Sequence, residues 1–152
     1  MSTYYYKSVQ WLPVSVEKAW EFFSSPKNLA KITPEDMKFR IKTPLVDKGI
    51  YPGMLIEYSV RPLFGIPLFW KTEITEVDAP HRFKDSQLKG PFALWEHTHT
   101  FTEQGHGTLM QDTVKYRLPF GALGSLAHRL MVKKRVDDIF TYRRKVLEDL
   151  FN

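Results

Sequence analysis

Between Trp95 and Phe101 the chain reads Trp-Glu-His-Thr-His-Thr-Phe, so one face of a strand would carry Trp95, His97, His99 and Phe101. The neighbouring segments mix polar and apolar side chains in the same way. Phe83 shares a face with Asp85 and Gln87, and Met110 and Val114 share one with Asp112 and Tyr116. If Gln104 to Gly107 is a four-residue hairpin loop, Glu103 falls opposite Thr108. That register sets His99 opposite Asp112 and Trp95 opposite Tyr116, within cross-strand contact. Polar groups on a buried face must be paired or solvated, so the cluster is either a hydrogen-bonded core network or the polar lining of a wet cavity.

Three chemistries fit these residues. Two imidazoles at i and i+2, with Asp112 or Asp85 beside them, could hold a divalent ion. That spacing is common by chance and no further histidine sits next to it, so no metal is assigned. A His99–Asp112 pair could act in acid–base catalysis, the carboxylate orienting the imidazole and raising its pKa. No Gly-x-Ser-x-Gly elbow or other nucleophile motif accompanies the pair. The third reading, which we prefer, is binding without chemistry. Tyr58, Trp70, Trp95, Phe101 and Tyr116 would form an apolar wall, while Asp85, Gln87, His97, His99 and Asp112 hold a ligand's polar end. Any one of these aromatics is equally well explained as core filling. No cofactor is implied. A further class, a protein-interaction module, rests on the unusually apolar turn Pro62–Pro67.

The elements that must position these residues follow from periodicity. Tyr4–Leu12 reads as a strand. Ser15 can cap a helix carrying Trp20, Phe22 and Phe23, with Val14 stapled onto Ala19. Ser25-Pro26 reads as a second cap, opening a short helix that Pro34 stops. Met37 to Lys42 alternates as a strand, and a proline- and glycine-rich loop spans Pro44 to Gly53. Met54, Ile56, Tyr58 and Val60 then share a face, as do Leu68, Trp70, Thr72 and Ile74. From about Leu123 to Phe151 a helical period runs through Val132, Val136, Ile139, Phe140, Val146, Leu147 and Leu150. Leu123, Leu126, Ala127 and Leu130 project nearly opposite to that stripe. Either a separate short helix ends near Met131, or this end is covered on both sides. The sum is an α+β domain: about seven antiparallel strands curled around a long C-terminal helix, with two short helices after the first strand. A hollow between sheet and helix is a standard setting for a small-molecule site.

The chain of 152 residues is read as one domain spanning 1–152, with a hydrophobic fraction of 43% and no apolar run long enough to span a membrane. With no cysteine there are no disulfides or thiolate metal sites, which fits the cytoplasm, and no signal-peptide pattern opens the chain. The net charge of +5 comes largely from Arg129, Lys133, Lys134, Arg135, Arg143, Arg144 and Lys145 on the last helix. These residues alternate with acids around the axis, so the expectation is a solvated helix surface and no nucleic-acid partner.

Several segments resemble a known family: AWEFFSSPKNLAKITP, FGIPLFWKTEI, RFKDSQLKGPFALWEHTHTF, GTLMQDTVKYRLPFGALG and IFTYRRKVLEDLF. The chain resembles the START and polyketide-cyclase-like proteins of the SRPBCC superfamily, and within it the bacterial ligand-binding proteins labelled cell-division-inhibitor-like. The resemblance implies a helix-grip fold and a small hydrophobic or amphipathic ligand held between sheet and helix. It brings no reaction or catalytic residue to carry over.

Overall fold

The computed structural model describes residues 2–44 and 49–152. Of the loop expected from Pro44 to Gly53, residues 45–48 therefore lie outside the described residues. Seven antiparallel strands form one sheet in the order β1-β7-β6-β5-β4-β3-β2. They are β1 (Thr3–Leu12), β2 (Arg40–Ile41), β3 (Leu55–Val60), β4 (Leu68–Asp78), β5 (Arg82–Lys89), β6 (Leu94–Gln104) and β7 (Gly107–Arg117). From β2 onward each strand pairs with its successor, and the first strand returns beside the last.

Period-two alternation decides which face is buried. On β3 and β4, Ile56, Val60, Trp70, Thr72 and Ile74 turn inward, while Glu57, Lys71 and Glu73 remain partly in water. The β6–β7 register is the expected one, pairing His99 with Asp112 and Trp95 with Tyr116. Gln104 also pairs with Gly107, so the reversal is tighter than a four-residue loop and leaves Gly105 (φ +60°) and His106 at its tip.

Between β1 and β2 lie α1 (Val16–Phe23) and a 3-10 helix, Pro26–Ile32. Ser15 caps α1, its side chain accepting from the Lys18 amide at 3.2 Å. Ser25 makes no side-chain cap bond, contrary to expectation. In the tight 3-10 turn its carbonyl takes the Asn28 amide instead, and the Asn28 side chain donates to the Phe22 carbonyl at 2.8 Å. The strand expected from Met37 to Lys42 shrinks to β2. Met37 closes a short 3-10 turn, and Lys38 takes a left-handed backbone (φ 50°) that breaks the extended run.

The C-terminal helix is neither divided nor covered on both sides. Helix α2 (Gly121–Ala127) passes through a π-helical turn (His128–Val132) into α3 (Lys133–Phe151) with right-handed helical backbone at both junctions. Each wide turn accommodates an extra residue, which is where the apolar stripe changes phase. Leu123 upstream of it and Leu130 within it stand 72% and 65% exposed, so this stripe faces water. Downstream, Val136, Phe140 and Leu147 are buried.

Leu147 sits at one end of the core with Leu12, Ala19, Phe83 and Phe101. Val136 and Phe140 pack against Val114, Tyr4 and Tyr6 in the middle. Ile139 approaches Met37, Val60 and Trp70 on the far side of the sheet. Full burial of each large apolar side chain stabilises by about 1.5–3 kcal/mol. The helix is thus held firmly along β1 and β7 and stands off from β3 and β4.

Candidate functional site

Where α3 stands off, a cavity of about 420 Å³ opens between the sheet and Val136, Ile139 and Phe140. That is a volume suited to a small organic ligand. Phe92, Trp70 and Trp95 line its sheet side, their rings meeting at centroid distances of 4.7 to 5.6 Å. Leu63, Phe64 and Ile66 from the apolar turn also line it; Phe64 is 77% and Ile66 55% exposed, so this turn forms the rim. A smaller chamber of about 80 Å³ lies toward α1, lined by Phe22, Ile56 and Ile74 among others. Leu29, Tyr58, Asp85, His99 and Arg143 line both spaces and form the partition between them.

The polar cluster stands at that partition. His97 Nε2 lies 2.7 Å from Asp112 Oδ1, and His99 Nε2 lies 2.8 Å from Asp85 Oδ2. His99 Nδ1 faces Asp112 Oδ1 at 3.3 Å. The two imidazoles stack at 3.7 Å, and His99 also stacks on Phe83 at 4.0 Å. A carboxylate can only accept, so His99 must offer a proton from each nitrogen and is an imidazolium between two anions. Burial opposes that charge, but hydrogen bonds and charge from Asp112 and Asp85 outweigh it and raise the His99 pKa. Burial pushes His97 the other way, helped by the charge on His99, so His97 is the neutral partner that donates from Nε2. Burial alone would raise Asp112, yet the two imidazoles hold it well below the usual carboxylate range. Tyr58 is raised, first by burial and then by Asp85, and stays a neutral phenol.

Of the ten residues expected at the site, Tyr58, Trp70, Asp85, Trp95, His97 and His99 line the larger cavity. The other four do not. Asp112 lies behind the histidines, 3% exposed, and acts through them. Gln87 is spent on the following turn, accepting from the Phe92 amide and donating to its carbonyl. Phe101 is packed between Trp20, Phe23 and Phe83. Tyr116 turns to the π-helical turn, its hydroxyl 2.7 Å from His128 Nε2, and burial pushes its pKa up to about 12.

Sequence reasoning misplaced Arg143. Grouped with the solvated basic residues of the last helix, it is in fact 8% exposed and faces the cavity. Its position follows from helical spacing: Val136, Phe140, Arg143 and Leu147 fall on one stripe, and charge alone suggested otherwise. The guanidinium carbon lies 4.9 Å from the centre of the Phe140 ring, a cation–π contact. Asp85, His97 and His99 also bring potential ligand atoms within 4.8 Å of one another. In the present geometry three of the four histidine nitrogens already face carboxylates.

A curved antiparallel sheet closed over a cavity by a long C-terminal helix defines a helix-grip protein. The chain belongs to the polyketide cyclase / dehydrase and lipid transport family, within the SRPBCC superfamily; the family profile matches residues 12–140. Among solved structures it is similar to protein CV1439 from Chromobacterium violaceum, at 15% identity and a TM-score of 0.71, covering 97% of each chain. It is similar also to ginseng major latex-like protein 151 from Panax ginseng, at 13% identity and a TM-score of 0.70, covering 99% of this chain and 98% of that one. Protein Ms6760 from Mycobacterium smegmatis matches at 20% identity and a TM-score of 0.65, covering 96% of this chain and 92% of the other. At such identities the likeness is one of fold. No curated protein sequence matches this chain. Among the described residues no helix is long and apolar enough to cross a membrane.

Proposed function

We propose that residues 1–152 act as one unit that binds a small hydrophobic or amphipathic molecule in the larger cavity, without chemistry. The carrying observation is a space of about 420 Å³ with aromatic walls, an apolar rim and its polar groups gathered at one end. The family description, which includes lipid transport, supports the same reading. The partner is a small molecule rather than nucleic acid, and a chain with no cysteine suits the cytoplasm.

One observation favours an enzyme as the second reading, and it moves the base from His99 to His97. His99 has carboxylates against both nitrogens and no lone pair to take a proton. His97 is oriented by Asp112 through Nε2, and its Nδ1 has no partner among the described residues. An enzyme of this kind keeps ligand binding and loses turnover on Asp112→Asn.

Native mass spectrometry of gently purified protein, beside a denatured control, tests the proposal. An organic adduct that vanishes on denaturation is expected, with no adduct that a chelator removes. A mass that is clean, and stays clean after an excess of phenylhexanamide is added, would contradict it.

A further inference from the structure

The four most exposed large apolar side chains among the described residues are Phe120, Phe64, Leu123 and Leu130. They gather at the end of the molecule where the cavity opens. Phe64 and Ile66 form its rim, and Leu118 and Val132, which bracket the exposed leucine stripe in sequence, line its wall. Phe64 and Leu130 also border one surface groove between the rim turn and the π-helical turn. Phe64 and Phe120 both take left-handed backbone (φ 55° and 70°), a strained conformation for so bulky a residue. Both conformations leave the ring largely in water.

The charge on this face has one sign. No acid occurs between Glu57 and Glu73 or between Asp112 and Asp137, the two stretches that edge it. Arg129 and Lys133 flank the leucine stripe, stand exposed and make no ion pair among the described residues. The two acids that reach the groove are already taken: Asp36 pairs with Arg135 at 3.1 Å and Asp138 with Lys134 at 2.9 Å. Exposed apolar side chains gathered on one face among cations mark a contact surface for an anionic partner. A second copy of the chain would bring like charges together. A folded protein would need hollows spaced to receive these side chains, whereas a bilayer closes around them whatever their spacing.

We infer that this face docks on an anionic lipid bilayer, with Phe64, Phe120, Leu123 and Leu130 inserted below the headgroups and Arg129 and Lys133 among the lipid phosphates. Docked in this way, the cavity mouth opens onto the bilayer, and an apolar ligand passes between the two without crossing water. The docking stands without the cavity-binding reading above; the passage of ligand rests on it.

Vesicle flotation of the wild-type protein tests the docking, with phosphatidylcholine alone and with phosphatidylcholine mixed with phosphatidylglycerol. Flotation with the mixed vesicles is expected, weaker with phosphatidylcholine alone and falling as salt is raised. Leu123→Gln/Leu130→Gln removes two inserted side chains and should weaken mixed-vesicle binding by about tenfold or more. Both leucines are exposed and neither lines the cavity, so this variant should bind phenylhexanamide as the wild type does. Arg129→Gln/Lys133→Gln should lose roughly fivefold for each charge on mixed vesicles and little on neutral ones. It decides alone if the leucine variant does not fold. No flotation with mixed vesicles, or equal flotation with and without phosphatidylglycerol, would overturn the assignment. So would mixed-vesicle binding that neither variant weakens, which would move the contact to another face. A wild-type dimer that Leu123→Gln/Leu130→Gln dissolves, without vesicle binding, would give the face to a second copy and overturn the assignment too. Phenylhexanamide binding retained alongside any of these failures keeps the cavity reading apart from them.

Discussion

Replacing Asp112 by alanine should cost about 3–5 kcal/mol of folding stability, the range seen when one partner of a buried charge pair is removed. Asp112 is 3% exposed and faces His97 Nε2 at 2.7 Å and His99 Nδ1 at 3.3 Å. Its loss strands both nitrogens and leaves the His99 imidazolium with Asp85 alone. Domains of this size are stable by roughly 5–15 kcal/mol, so the effect is a large share of the total. Urea unfolding at neutral pH measures it, and a variant within about 1 kcal/mol of wild type would refute the network as described.

The same three groups shape the pH dependence. His99 has a raised pKa, so its contribution is complete below the unfolded value near ~6.5 and fades as pH rises through the folded one. His97 is lowered, so stability falls as pH drops below ~6.5 and the unfolded chain takes up a proton that the folded one refuses. Asp112 is lowered as well; its contribution is complete above ~3.9 and is lost with acidification below that. Wild-type stability should therefore decline on both sides of neutrality. In Asp112→Ala the alkaline decline should shrink, because the carboxylate at His99 Nδ1 that helps raise its pKa is gone.

Filling the cavity should weaken binding sharply while sparing the fold. Val132 and Ile139 line the cavity, are half-buried and lie seven residues apart on the helix, so they point the same way. In Val132→Trp/Ile139→Trp, two indoles enter space that is now open. Displacing the contact of about four ligand methylenes removes ~3 kcal/mol, roughly a hundredfold in affinity. Overpacking a tight core costs typically 1–3 kcal/mol, and the cost here should sit at or below the low end because the cavity receives the added atoms. Unchanged affinity for phenylhexanamide in a folded variant would place the binding site elsewhere.

The sheet was legible because each strand alternates and each reversal carries glycine or proline. The pairing of His99 with Asp112 followed from counting back from a single hairpin. Three features escaped the same reasoning. Cross-strand pairing names the residue directly opposite, whereas His97 reaches Asp112 diagonally and His99 takes Asp85 from the other neighbouring strand. Alternation reports which face a side chain leaves from but not how far the helix stands from it; Phe101 and Trp95 share a face, yet one is packed under α1 and the other borders the cavity. Charge outweighed spacing at Arg143, although Val136, Phe140 and Leu147 marked its stripe. The phase change near Met131 was visible as a conflict between two stripes, and a π-helical turn resolves it without breaking the helix.

The four tryptophans provide the most direct test of the cavity. Trp70 and Trp95 line it. Trp11 donates to the Gln104 carbonyl at the far edge of β1, and Trp20 is packed against Phe83 and Phe101. A proton–nitrogen correlation spectrum of the wild-type protein, titrated with phenylhexanamide, follows all four indole N–H signals at once. Binding in the cavity predicts saturable shifts at Trp70 and Trp95, with Trp11 and Trp20 unmoved. Four signals that stay still at saturating probe, or shifts led by Trp11, would contradict it.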